Sequence, residues 1–230
     1  MTIFAAPRKD VIMRNSLLHI ILFHITLLLA ISVQAQERDR LGELNVVCRN
    51  AISITPQSGD LLFLNENQSA MEQAITASTG EYTHVALVER DSADGVWVIE
   101  ASPKEGVQRI SYEQFERNHN LGFFGGNIDI YRLTVPFDTA AVIARAKSLV
   151  GKPYDDVFLP DNDTYYCSEL IQVAFGGIFP SKPMNWRDAD GNLPEYWIKH
   201  FEKLGVPVPE GVPGTNPTDM SRSPLLKRLK

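Results

Sequence analysis

The stretch Asp163-Thr164-Tyr165-Tyr166-Cys167-Ser168-Glu169-Leu170-Ile171 decides how this chain is read. Leu170, Ile171, Ala174 and Phe175 follow Cys167 by three, four, seven and eight residues, the spacing of one helical face. Asp163 or Thr164 can cap that helix by accepting a bond from an orphan backbone N–H, and Gly176-Gly177 can close it. Cys167 then falls in the first turn, where the partial positive charge of the helix end favours a thiolate. A small apolar residue packing at a helix start explains the same pattern. The stretch alone leaves both readings open.

A nucleophilic cysteine needs a base, and the histidines are the place to look. Of the five, His19 and His24 fall in an apolar N-terminal run. His119 sits in the polar loop Asn118-His119-Asn120, where a solvated side chain is expected, and His200 follows Lys199 on a surface-like helix. His84 differs, because it lies in the β-rich run Tyr82 to Glu89 beside Val85-Ala86-Leu87-Val88. For a lone strand histidine, a satisfied core residue is the ordinary explanation. Glu100 shifts that balance. It ends the run Val96-Trp97-Val98-Ile99, which pairs with the His84 run as a hairpin across the turn Asp94-Gly95. Pairing brings His84 and Glu100 to one end of a sheet, where a carboxylate can hold one imidazole nitrogen.

The rest of the chain alternates short strands and helices. Leu61 to Leu64 reads as a buried strand, Ser69 to Ser78 as a helix, and Gly106 to Ile110 and Ile128 to Leu133 as two further strands. Helical patterns cover Ser111 to Arg117, Thr139 to Val150 and Glu195 to Lys203, with a lead-in helix expected over Glu37 to Arg49. Pro207, Pro209, Pro213, Pro217 and Pro224 give the C-terminal segment an extended character, as a free tail or as a strap over the domain. The expectation is an α+β single domain, a small antiparallel sheet packed by helices.

Arg8, Lys9 and Arg14 precede the apolar run Leu17 to Val33, and Val33-Gln34-Ala35 offers the small residues a signal peptidase reads. Residues 1–35 are therefore expected to be a signal peptide, with 36–230 as the domain of an exported, periplasmic or secreted protein that keeps no membrane anchor. Three basic residues and one acid lie in the leader, so the remainder has 19 basic against 27 acidic residues, a formal charge of −8. Such a chain offers no electrostatic footprint for nucleic acid. Cys48 and Cys167 are the two cysteines, and one disulfide between them is the alternative to a free nucleophile. There is no C-x-x-C, paired-histidine helix or calcium loop, so neither metal nor other cofactor is expected.

Five blocks in order, Gly59-Asp60-Leu61-Leu62-Phe63, Thr83-His84-Val85-Ala86-Leu87-Val88, Val98-Ile99-Glu100-Ala101, Gly151-Lys152-Pro153-Tyr154-Asp155 and Tyr166-Cys167-Ser168-Glu169-Leu170, resemble the permuted papain-fold cysteine amidases and peptidases related to NlpC-type cell-wall peptidases. In that branch the histidine strand precedes the cysteine helix, as here. The resemblance implies a circularly permuted papain-like fold, with Cys167 as nucleophile, His84 as base and Glu100 as the orienting residue. It also implies acyl transfer through a thioester on a small peptide or amide substrate, and Tyr154 and Tyr166 are candidates for contact with it. Two alternatives stand beside this reading: a lipid acyltransferase or deacylase of the same permuted fold, and a binding module in which Cys167 is structural.

Overall fold

The computed structural model describes residue 36 and residues 55–121 and 128–229. The expected leader, the lead-in helix and Cys48 lie outside these residues. Everything below concerns the unit that begins at Ile54.

Among the described residues, six antiparallel strands form one sheet, and β-branched and aromatic residues are frequent in β2, β3 and β5: β1 (Leu61–Leu64), β2 (His84–Arg90), β3 (Val96–Ser102), β4 (Gly106–Ser111), β5 (Ile128–Leu133) and β8 (Leu226–Arg228). Their order across the sheet is β4-β3-β2-β1-β5-β8. Because side chains alternate along each strand, the sheet has two apolar faces. Leu61, Phe63, Val85, Leu87, Ile99 and Ala101 point to one face, Leu62, Leu64, Ala86, Val88 and Val98 to the other.

Helices cover both faces. The first face receives α3 (Thr139–Ser148) through Val142 and Ala146, and α4 (Cys167–Ala174) through Leu170, Ile171 and Ala174. The second receives α2 (Tyr112–Asn118) through Phe115, which is fully buried. Each such large apolar side chain contributes roughly 1.5–3 kcal/mol through burial. A third cluster, Phe158, Tyr166, Trp186, Trp197 and Phe201, joins α1 (Ala70–Thr79) to α5 (Glu195–Leu204). At α1, Ser69 is the N-cap and forms a reciprocal capping box with Glu72.

The proline-rich segment is a strap. Its strand β7 (Pro213–Gly214) pairs with β6 (Lys182–Pro183), α6 (Pro217–Ser221) packs Thr218 and Met220 inward, and β8 extends the sheet beside β5. The edge strand β8, with its pattern Leu-Lys-Arg, carries too little apolar periodicity to be read as a strand in advance.

Gly106 positions the approach to α4. Its φ of +70° suits glycine, and a Cβ there would lie 2.4 Å from the Lys152 carbonyl oxygen. Val107 N–H donates to that same oxygen at 2.9 Å, and Gly151 N–H donates to Val107 O at 2.8 Å. The loop that carries Tyr154 is thereby clipped to β4. Gly106→Ala should lower unfolding free energy by about 2 kcal/mol or more, through strain and a forced shift of this loop. Urea denaturation checks it, with Gly191→Ala, which has positive φ but open space around it, as the milder comparison.

Candidate active site

Cys167 occupies the first position of α4, as the sequence predicts, but the cap differs from expectation. Asp163 takes a left-handed φ of 59° and pairs with Lys152, while Thr164 bonds Asn162. Both are turned away by a loop that already reverses at Asp161, so neither reaches the helix end. Tyr166 is the N-cap residue, with extended backbone and no side-chain cap bond. Glu169 instead reaches back and accepts the Tyr166 N–H at 3.4 Å. Asp155, buried upstream, accepts from Val157 N–H and Leu159 N–H and holds the preceding loop.

Cys167 is a free, buried thiol, 7% exposed. His84 opens β2 and is hydrogen-bonded to Cys167. Its Nε2 lies 2.8 Å from Glu100 Oε2, which leaves Nδ1 for the thiol. The β2–β3 register sets Leu87 opposite Ile99, so one more step places Glu100 opposite Ala86, diagonal to His84 on the same face. Burial works against a charge on His84, yet the bonds to Cys167 and Glu100 outweigh it and raise its pKa well above the ordinary imidazole value. Nucleophile candidate, base candidate and carboxylate are thus brought together as the sequence anticipates.

His119 is the residue that sequence reasoning missed. Expected in solvent, it is the C-cap residue of α2 and lies over the sheet face that carries His84 and Glu100. Its ring stacks on His84 with centroids 4.9 Å apart and packs against Phe115 at 4.5 Å. Its Nε2 is 2.9 Å from Glu100 Oε2, the oxygen His84 uses, and its Nδ1 is 3.1 Å from both oxygens of Glu66. Burial opposes charge on His119, but Glu100 and Glu66 together raise its pKa. Burial likewise favours a neutral Glu100, and His119 and His84 override it, holding that carboxyl down at about 2. The other Glu100 oxygen accepts from Gln108 Nε2 at 2.9 Å. Polar neighbours in the sequence gave His119 a solvated look; the helix preceding it, anchored by Phe115, carries it inward.

His84, Glu100 and His119 together offer ligand atoms within 4.8 Å of one another. The sequence showed no metal pattern because these residues come from three separate elements rather than one motif. His200, by contrast, sits apart from the site, with Nε2 against Asp156 O at 2.7 Å and its ring stacked on Tyr196.

A pocket opens beside Cys167, and both tyrosines singled out from the sequence line it. Tyr166 accepts the Thr215 N–H through its hydroxyl at 3.0 Å, and burial pushes its pKa up to about 12. Burial, with Cys167 next, also raises that of Tyr154 well above the ordinary phenol value. Phe158, Met184, Trp186 and Trp197 form the apolar walls, and among the described residues no charged side chain lines the pocket.

A histidine strand that precedes a cysteine helix, both on an antiparallel sheet, defines a permuted papain-like hydrolase. This chain belongs to the family described as permuted papain-like amidase enzymes, the YaeF/YiiX or C92 family, whose model matches residues 55–230. Among solved structures, the metalloprotein YiiX from Escherichia coli O157:H7 is similar in fold, with a TM-score of 0.63 and 23% identity. The match covers 76% of this chain and 97% of that one. A search of curated proteins returns no match.

Glu169 supplies a test of the helix start. Burial, aided by the negative charge of Asp155, raises its pKa to about 8, far above the unfolded value of about 4.3. An acid raised on folding costs stability progressively as pH climbs from the unfolded value to the folded one. Glu169→Gln keeps an acceptor for Tyr166 N–H and removes that cost. Its melting temperature should exceed wild type at pH 8 and approach it near pH 4. Parallel melting curves across that whole range would show that the environment of Glu169 is not as described.

Proposed function

We propose that the protein is an exported cysteine amidase that hydrolyses the amide bond of a small N-acyl or peptide substrate carrying an uncharged, apolar acyl group. The observation that supports this most is the junction of Cys167, hydrogen-bonded to His84, with an apolar pocket that no charged side chain lines among the described residues. In this reading Cys167 is the nucleophile, His84 the base and Glu100 the residue that orients it. An acidic or basic cell-wall stem residue would enter such a pocket without a partner, at a cost of several kcal/mol. An aliphatic or aromatic acyl group would fill it.

The chemistry follows from the hydrogen bonds. His84 Nδ1 takes the Cys167 proton while Glu100 holds the Nε2–H, and the sulfur adds to the amide carbonyl carbon. The backbone N–H of Cys167, at the first position of α4, faces the developing oxyanion with the positive end of the helix. His84 then gives its proton to the leaving nitrogen as the C–N bond breaks, and a thioester remains. Water attacks that thioester, gives a proton to His84, and the acid leaves as sulfur recovers its proton. The net reaction consumes one amide and one water and yields one acid and one amine.

Tyr154 and Tyr166 contact the acyl group in this account, with Phe158 and Trp186 behind them. The export half of the proposal rests on the leader over residues 1–35, and N-terminal sequencing of protein recovered from outside the cytoplasm should begin at Gln36.

A panel of N-acyl amides and cell-wall peptides tests the substrate assignment. Turnover should favour apolar acyl groups over charged stem peptides by at least about a hundredfold in kcat/KM, the factor that corresponds to a desolvation cost of several kcal/mol. Cys167→Ala and His84→Ala should each lose several orders of magnitude in kcat. Glu100→Gln, which still accepts from imidazole but offers less negative charge, should lose less than either. A folded His84→Ala protein with near wild-type turnover would remove the assignment of the base, and preference for a charged stem peptide would remove the substrate class.

A further inference from the structure

We propose that His84, Glu100 and His119 form a binding site for a divalent cation of the zinc type, and that filling it switches the amidase off. The three side chains come from β2, β3 and the end of α2, and their ligand atoms all lie within 4.8 Å of one another. Two imidazole nitrogens and one carboxylate oxygen are a donor set suited to Zn²⁺. Both Nε2 atoms already converge on one point, Glu100 Oε2, at 2.8 and 2.9 Å. Closing that convergence onto a cation at about 2.0–2.2 Å takes side-chain adjustments of roughly an ångström. The two rings stack, and both present Nε2 to the same Glu100 oxygen.

The surroundings resemble those of a ligand set. A metal-bound imidazole ordinarily donates its other N–H to a carboxylate, which fixes the ring and its tautomer. His119 has that arrangement, with Nδ1 against Glu66. Glu66 and His119 are themselves largely buried, with side chains 10% and 15% exposed, so the second carboxylate is not a chance surface neighbour. Gln108 steadies the free oxygen of Glu100. The Cys167–His84–Glu100 chemistry explains none of the contacts between His119 and Glu66, and the cation site explains both.

The consequence for activity follows from His84 serving two roles. Neutral imidazole bound to a cation through Nε2 carries its proton on Nδ1. It can neither accept the Cys167 proton nor complete the transfer to a leaving amine, so the cation and turnover exclude each other. Binding displaces the proton on each Nε2, and Glu100 turns from hydrogen-bond acceptor to ligand. No oxidation or reduction is involved.

The inhibition rests on the amidase reading, whereas the binding does not, and the experiment separates them. Zn²⁺ binding to the purified chain is measured by equilibrium dialysis and titration calorimetry for wild type, Cys167→Ser, His119→Ala and Glu66→Gln. One Zn²⁺ per chain should bind wild type and Cys167→Ser with similar affinity. His119→Ala should weaken it by at least about a hundredfold, and Glu66→Gln by about 10–100-fold through the loss of its support. Co²⁺ in the same site should show d–d absorption without a sulfur-to-cobalt charge-transfer band. Circular dichroism establishes that the variants are folded, and Glu66→Gln serves should His119→Ala fail to fold. With the preferred amide substrate, Zn²⁺ should inhibit wild type and a chelator should restore it. Binding that is lost in Cys167→Ser and kept in His119→Ala places the cation on the thiol and overturns the proposal, as does an absence of stoichiometric binding. Binding with the expected variant pattern, in a protein inactive on every amide, would uphold the site and sink the amidase reading.

Discussion

The buried carboxylate of Glu100 is the constraint on which the rest of this site depends. At 1% exposure, an ionised carboxyl costs several kcal/mol unless it is surrounded by donors. Among the described residues it has three: His84 and His119 on one oxygen and Gln108 on the other. Removing any one leaves a buried charge short of a partner, so the cost exceeds that of a single surface hydrogen bond. The same requirement fixes the ring of His84, and through it the direction of the nitrogen that meets Cys167. Glu66 extends the pattern, so negative and positive groups alternate from Glu66 through His119 and Glu100 to His84.

Two rigid elements deliver this arrangement. Strand pairing sets His84 and Glu100 diagonally on one face, and α4 places Cys167 at the sheet by burying Leu170, Ile171 and Ala174 against the opposite face. Cys167 stands at the end of its helix, so its position follows from core packing rather than from a flexible loop. The approach to it is also tied down, by Gly106 against Lys152 and by Asp155 within its own loop. The pocket walls come from a separate aromatic cluster between α1 and α5, closed by the strap through Thr215 and Tyr166. The Cys167–His84–Glu100 group and the aromatic walls of the pocket thus rest largely on different parts of the core.

Much of this was legible before the fold was seen, because it rests on local periodicity. The helix face behind Cys167, the Asp94-Gly95 hairpin and the strand Ile128–Leu133 follow from spacing and turn chemistry alone. The order of the five sequence blocks led to the permuted papain-like fold, which the family match bears out. The misses share a cause. Asp163 and Thr164 stand nearest the helix start in sequence, but positive φ at Asp161 and Asp163 rotates them away. His119 looked solvated between two asparagines, and only the packing of Phe115 shows that its helix turns inward. The strand β8 is held by the edge of β5 and by little in its own sequence. Each depends on contacts far apart along the chain, which no local pattern carries.

In the proposed reaction Cys167, activated by His84, forms a covalent acyl intermediate. Rapid-quench intact-protein mass spectrometry with an activated apolar N-acyl or ester substrate tests it most directly. A transient adduct of the acyl mass, mapped by peptide analysis to Cys167, should form much more slowly in His84→Ala and not at all in Cys167→Ala. Turnover of the same substrate with no adduct under any quench, or an adduct that persists in Cys167→Ala, would contradict it.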